Sequence, residues 1–301
     1  MLSRKLSSLA LIFICLVITA GCGPSQERTE TGTKGTINIS VDESLKPVIE
    51  QQLKVWDSSY PEGHIHVQYL PENECFDNLY RDSARLIITA RDITAEEKKA
   101  YASAKIALRS LAMAEDAIAI VLNPASPDTL MTMGQLREIL LGKFARTYTV
   151  VFDNGKSSMV RFVVDSLIPG GQLSSKSYAA KTNEGVIDYV AQNPGAIGIV
   201  SARYIYDTED KSGMGKFLSK VKVAALQNDS TLEFHQPYQY SIALHQYPLT
   251  RKIYFVSRES WQGLGTGFAN FLCGEQGQLI FKKSWMVPLR VPLEIREVQL
   301  K

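Results

Sequence analysis

Apolar and polar positions along this chain switch repeatedly between the period of a strand and the period of a helix. Residues 36–41 (TINISV) alternate, as a strand does; Leu45, Val48, Ile49, Leu53 and Trp56 then recur at helical spacing. Asp42, Glu43 and Ser44 supply a cap and early acidic groups for that helix, and Pro47 fits its first turn. Tyr60-Pro61-Glu62-Gly63 turns into a strand at 64–70, and Pro71-Glu72-Asn73-Glu74 opens a helix through Phe76, Leu79 and Tyr80. A strand at 85–89 precedes Thr94-Ala95-Glu96-Glu97, a capping box. Alternation of this kind, with short turns, predicts a parallel sheet covered by helices.

A near-continuous apolar strand, 116–122 (DAIAIVL), runs into the breaker cluster 123–128 (NPASPD), a candidate crossing between domains. Beyond it the pattern predicts a helix over 133–141 stopped by Gly142, a strand at 149–152, a helix from Met159, a helix over 183–193 and a strand at 196–200. Residues 221–226 are strand-like, and Gln236-Pro237-Tyr238 begins a second crossing. Strands are expected at 240–244 and 253–256, and helices at 267–272 and 277–283. The fold expected is α/β with two lobes, each a mainly parallel sheet flanked by helices: lobe 1 from 36–123 and 239–301, lobe 2 from 124–238 inserted into it. A ligand belongs between such lobes, at strand ends and helix starts, with hinges near 123–128 and 236–239.

The N-terminus changes where the protein is expected to work. Arg4 and Lys5 precede an apolar run, 9–18, too short for a comfortable membrane span. Thr19-Ala20-Gly21-Cys22 resembles the bacterial lipoprotein signal box, so residues 1–21 are read as a signal peptide, Cys22 as the lipidated residue and 22–35 as a flexible tether. That implies a monomer anchored to the membrane by lipid in the bacterial envelope, facing the periplasm or exterior. Without Arg4 and Lys5 the 33 basic side chains balance the 31 acidic ones, which gives no footprint for nucleic acid. Cys75 and Cys273 could pair or remain free thiols, and His64 and His66 share one face of a strand, read as solvent-facing. No zinc motif, nucleophile elbow or nucleotide loop is present, since Lys156-Ser157 lacks the upstream glycine; neither enzyme chemistry nor a cofactor or metal is expected.

The candidate chemistry centres on 149–167 (TVVFDNGKSSMVRFVVDSL): a buried strand, a turn at Asp153-Asn154-Gly155 built from residues that tolerate left-handed backbone, and hydroxyls at a helix start. Asn154, Gly155, Lys156, Ser157 and Ser158 can form an anion receptor of free N–H groups at a helix N-terminus; an ordinary turn with a Ser cap is the alternative.

Several stretches together resemble the phosphate-binding component of the bacterial phosphate ABC transporter, a type II periplasmic binding protein. They are the loop 41–47, Thr89-Ala90-Arg91-Asp92-Ile93, the helix end Leu141-Gly142-Lys143, the 153–158 loop, Pro194-Gly195-Ala196-Ile197-Gly198, Tyr247-Pro248-Leu249-Thr250-Arg251 and Val287-Pro288-Leu289. The resemblance spans 36–290 and implies capture of a small oxyanion such as phosphate and its delivery to an ABC permease. It implies Ser44, Asp92 and the 154–158 loop as ligand residues, with Asp92 where the family accepts a hydrogen bond from protonated phosphate; a helix cap is the other reading of Asp92. Phe152 stands where the family carries an Arg before its phosphate loop, and Arg91 is the replacement cation expected, with a surface or interlobe ion pair as its alternative. Asp42, Glu43, Glu72 and Glu74 are expected to face solvent, because a dianion about 4 Å from a carboxylate is repelled by about 4 kcal/mol per charge pair at an effective dielectric near 20. Two alternatives keep the fold: a cationic or zwitterionic solute held by Glu43 and Glu72, or a scaffold or sensor lipoprotein that captures nothing.

Overall fold

The computed structural model describes residues 30–155, 157–207 and 215–292; the signal segment, Cys22 and Lys156 lie outside them. The first unit runs β1 (Gly35–Asp42), α1 (Lys46–Ser59), β2 (Gly63–Leu70), α2 (Glu72–Tyr80), β3 (Leu86–Thr89), α3 (Ala95–Ser103) and the long β4 (Arg109–Leu122). The second contains β5 (Leu130–Met131), α4 (Met133–Leu140), β6 (Thr149–Phe152), α5 (Ser158–Leu167), β7 (Ser177–Ala179), α6 (Asn183–Gln192), β8 (Ala196–Ser201), β9 (Lys222–Val223), β10 (Ala225–Gln227) and β11 (Phe234–His235). The chain then returns through α7 (Gln239–Ala243), β12 (Thr250–Ser257), α8 (Leu264–Cys273), α9 (Glu275–Lys283) and β13 (Val287–Pro288).

The main strand order is β2-β1-β3-β12-β4-β8-β6-β7. β1, β2 and β3 run parallel, as do β6, β7 and β8. The strands at the centre, β12 and β4, pair antiparallel with their neighbours, because one carries the chain out of the first unit and the other brings it back. β4 serves both units: Arg109–Ala117 pairs with β12, and Ile118–Leu122 pairs with β8. The passage between sheets thus lies inside a strand, while the breaker cluster at 123–128 follows the end of β4.

Two apolar cores sit on either side of that passage. One gathers Ile39, Val41, Ile49, Trp56, Phe268 and Phe281 around the first sheet, and the other gathers Ile120, Leu136, Val150, Met159, Val163 and Ile199 around the second. β3 is covered on both faces, so Leu86 and Ile88 enter the first core while Ile87 joins Cys75, Phe76, Leu79 and Tyr101 in a smaller cluster opposite. Cys75 and Cys273 are free thiols, and His64 and His66 are exposed on one face of β2. Among the described residues no helix is long and apolar enough to cross a membrane, and no group of side chains is arranged to hold a metal ion.

One expected element changes type. Residues 240–244 are not a strand; α7 occupies Gln239–Ala243. An apolar run this short does not distinguish the two periods. The helical turn is favoured because it buries Ser241 and Ile242, whose neighbours Tyr240 and Leu244 stay half exposed, and lets the Ser241 hydroxyl donate to the Gln236 and Tyr238 carbonyls.

Gly198, in the Pro-Gly-Ala-Ile-Gly stretch, is required by packing. A Cβ there would lie 2.6 Å from Val121, 2.7 Å from Val186 and 2.9 Å from Val190, where β8 meets β4 and α6. Gly198→Ala is expected to destabilise the protein by about 1–3 kcal/mol through overpacking, read as a lower denaturant midpoint with an unchanged slope.

Candidate functional site

The turn after β6 is organised by Asp153. Its buried carboxylate accepts from the Asn154 backbone N–H at 2.7 Å, the Ser157 hydroxyl at 2.8 Å and Asn183 Nδ2 at 3.4 Å. Gly155 is not among the positive-φ residues, so side-chain hydrogen bonds rather than a left-handed glycine shape this turn. Ser157 caps α5, its Oγ accepting from the Val160 N–H at 3.3 Å, which leaves Ser158 as the hydroxyl presented to the other unit.

Ser158 meets Ser44 there, Oγ to Oγ at 3.3 Å. Both are buried at the first turns of helical segments on opposite sides of the cleft. Arg251 joins them: Nη1 donates to Ser158 Oγ at 3.0 Å, Nη2 to Ser44 Oγ at 3.4 Å, while Nε and Nη2 reach Asp116 Oδ2 at 3.3 and 3.2 Å. Ser201 Oγ contacts both Asp116 oxygens at 3.1 Å. The guanidinium is 1% exposed, so its charge acts with little screening by water.

Sequence reading looked for the cation at residue 91 and missed Arg251. The available signal was a pair of lone opposite charges, Asp116 opening the apolar 116–122 run and Arg251 opening the next strand of the sheet. They are directly cross-strand in the β4–β12 register.

Arg91 and Asp92 lie apart from this cluster. Arg91 forms two 2.8 Å hydrogen bonds to Glu97 and stacks 3.7 Å over the Phe76 ring. Asp92 accepts from the Ile93 N–H at 2.7 Å and the Ser110 hydroxyl at 2.6 Å. Of the acids expected to face solvent, Glu74 does; Asp42 and Glu72 are buried, and Glu43 is half-buried. Glu72 is drawn in because it receives the Ala90 N–H at 3.0 Å and Arg161 Nε, from α5 of the other unit, at 2.6 Å, with Arg91 Nε at 3.5 Å. Asp42 caps the short turn ahead of α1, its Oδ1 accepting from the Ser44 N–H at 3.0 Å. Its Oδ2 is buried with no hydrogen-bond partner.

Glu43 Oε1 accepts from Asn154 Nδ2 at 3.0 Å, a further link across the cleft. Beside these links lies a pocket of ≈ 200 Å³ lined by Glu43, Ser44, Lys46, Asp153, Asn154 and Lys181. Burial pushes the Glu43 and Asp153 carboxyls above their usual range, against the hydrogen bonds from Asn154 and Ser157 that pull them down. The arrangement offers hydrogen-bond donors on a buried cation and hydroxyls from both sides of a cleft.

Two α/β units sharing one long strand, with polar groups converging where they meet, define a two-lobed binding-protein fold. The sequence agrees: residues 26–276 match the family model of the PBP superfamily domain, and the chain belongs to that superfamily. A Clostridium perfringens protein assigned to phosphate ABC transport as its substrate-binding component, solved with bound phosphate, superposes with TM-score 0.68 at 20% identity over 85% of this chain and 100% of its own. An ABC-type phosphate transport receptor from Vibrio cholerae gives 0.68 at 21% identity, covering 83% of this chain and 99% of its own. The regulatory domain of a LysR family regulator from N. meningitidis shares the fold at TM-score 0.59 and 10% identity, over 85% of this chain and 98% of its own.

The raised Glu43 carboxyl sets a pH dependence. A carboxyl that binds its proton more tightly in the folded state contributes stability below the unfolded carboxylate range and loses it as pH rises through the raised value. The melting temperature of Glu43→Gln relative to the unaltered protein should therefore increase from about pH 4 to about pH 8, compared by thermal denaturation at both ends.

Proposed function

We propose that this protein is a solute-binding component of an ABC importer, held in the bacterial envelope by lipid at Cys22, and that it takes its solute by an oxyanion group such as phosphate. The carrying observation is Arg251, whose two terminal nitrogens address the Ser158 and Ser44 hydroxyls on opposite sides of the cleft. A guanidinium suits an oxyanion because its fork matches two oxygens at once, and both hydroxyls can turn to donate. Ser44 and Ser158 touch each other in this closed arrangement, so the solute enters when the lobes part and replaces their contact with its own. The lobes move about the two passages between sheets, inside β4 and just before β12, so lobe 1 ends within β4 rather than at residue 123 and resumes at β12 rather than at 239. The two phosphate-transport proteins of the same fold support this reading, as do the lipoprotein-like box ahead of Cys22 and a charge-balanced chain. Of the residues expected from sequence, Ser44, Asn154 and Ser158 serve the solute and Ser157 caps the helix behind them; Arg251, which was not among them, is the cation.

Isothermal titration of the full-length chain with phosphate, phosphonates and carboxylates tests the proposal. Binding is expected for at least one oxyanion class. Ser158→Ala should weaken it by about tenfold or more, since a hydrogen bond to a charged partner contributes about 1.5–3 kcal/mol. No heat and no rise in melting temperature with any oxyanion-bearing compound at about millimolar concentration would overturn it.

A further inference from the structure

We infer that lobe 1 turns the end opposite its cleft toward the membrane lipid, and that Glu30 moors the lipid tether at that end; the inference rests on the lipid anchor at Cys22 proposed above. β1, β2 and β3 run parallel, so the cleft lies at their C-terminal ends, where Ser44 follows β1 and meets Ser158. Their starts, Gly35, Gly63 and Leu86, form the far end of the lobe.

The chain enters at that far end and is fixed there. The Glu30 carboxylate accepts from Arg85 Nη2 at 2.8 and 3.0 Å and from the Leu264 N–H, at the start of α8, at 2.9 Å. A guanidinium and a helix N-terminus together hold a carboxylate firmly. Behind it the Thr31 N–H donates to the Lys34 carbonyl at 2.9 Å, and Lys34 Nζ pairs with Glu62 at 2.6 Å. Gly32 lies so close against α8 that a Cβ on Gly267 would collide with its carbonyl. These contacts hold residues 30–35 to the lobe, so only 23–29 (GPSQERT) separate it from Cys22.

Length then decides the orientation. The links from Cys22 to Glu30 span at most about 28 Å, and a polar coil of that length spans about 16 Å on average. The strand from Gly35 to Asp42 places the cleft about 23 Å beyond the far end. On average the tether is therefore shorter than the lobe it would have to pass, and the bilayer meets the far end while the cleft opens away from it. The charges there suit a lipid surface. Glu62 is paired with Lys34 and Asp82 with Arg258 at 3.3 Å, while Arg81 and Lys105 are exposed to anionic headgroups.

Energy transfer on the lipidated full-length chain in anionic vesicles tests the inference. Single labels go on Ser59→Cys at the far end and Glu74→Cys near the cleft, with Cys273→Ser in both and Cys75 buried, and a short-range acceptor goes on the lipid headgroups. Transfer from residue 59 is expected to exceed that from residue 74 at least about twofold. Inserting about twelve Gly and Ser residues after Ser25 raises the mean span to about 25 Å and should bring the ratio toward one without touching the fold. Glu30→Lys, which sets like charge against Arg85, should lower it in the same direction. Equal transfer from both labels on a chain whose lipid is verified by mass, or a ratio unchanged by the longer tether, would overturn the inference while leaving the lipid anchor standing. A chain that carries no lipid at Cys22 would overturn both.

Discussion

The ion pair between Arg251 and Asp116 sits where this structure has least freedom to change. Asp116 opens the stretch of β4 that leaves the first sheet, and Arg251 opens the strand that returns to it, so the pair ties the outgoing and returning chains together at one register position. Both side chains are almost completely buried, at 1% and 2% exposure. Removing one partner from such a pair typically costs about 3–5 kcal/mol, because the other is left as a buried, uncompensated charge. Ser201 from β8 completes the set by bonding both Asp116 oxygens, which brings the second sheet into the same network. Fixing the guanidinium by Asp116 on one side leaves Nη1 and Nη2 directed at the hydroxyls across the cleft, so the same contact that ties the crossing also orients the candidate binding group.

At the strand ends the interlobe seam is built from small numbers of strong polar contacts. Glu72 with Arg161, Glu43 with Asn154, and Ser44 with Ser158 each join one unit to the other. Away from these contacts the apolar packing is continuous: Val287 of the returning chain enters the second core and Trp285 stacks on Tyr206 at 4.3 Å. Polar seams of this sort exchange readily for water or for a solute, whereas an apolar interface of the same extent would resist opening. Burial at this seam raises the Glu43 and Asp153 carboxyls above their usual range.

Fold class was legible from the sequence because it depends on short-range pattern. Alternation at 36–41, the helical spacing from Leu45 to Trp56 and the Thr94–Glu97 capping box each specify an element through interactions within a few residues, and each appears in place. The same locality explains why α7 was misread, since five residues do not carry enough of a period to separate helix from strand. The loop after β6 was legible as a polar strand-to-helix turn, but not in its details: which serine caps and which faces the cleft depends on Asp153, Asn183 and the direction of α5.

What the sequence by itself determined is the alternation of strands and helices, the two-unit organisation and the place of one half of the site, the hydroxyl-bearing turn at 153–158. What only the tertiary structure decided is the charge that works there. Arg91 lies in the segment the resemblance marks but is taken by Glu97 and Phe76. Arg251, 93 residues from Ser158 along the chain, is brought to its hydroxyl by strand pairing. Asp42 and Glu72 likewise look like solvent-facing helix starts in sequence, yet Asp42 is buried where it caps its own turn and Glu72 where it takes the Ala90 N–H and Arg161 of the second unit. Periodicity is a property of neighbours in the chain, whereas the partner of a buried charge is chosen by the packing of the whole fold.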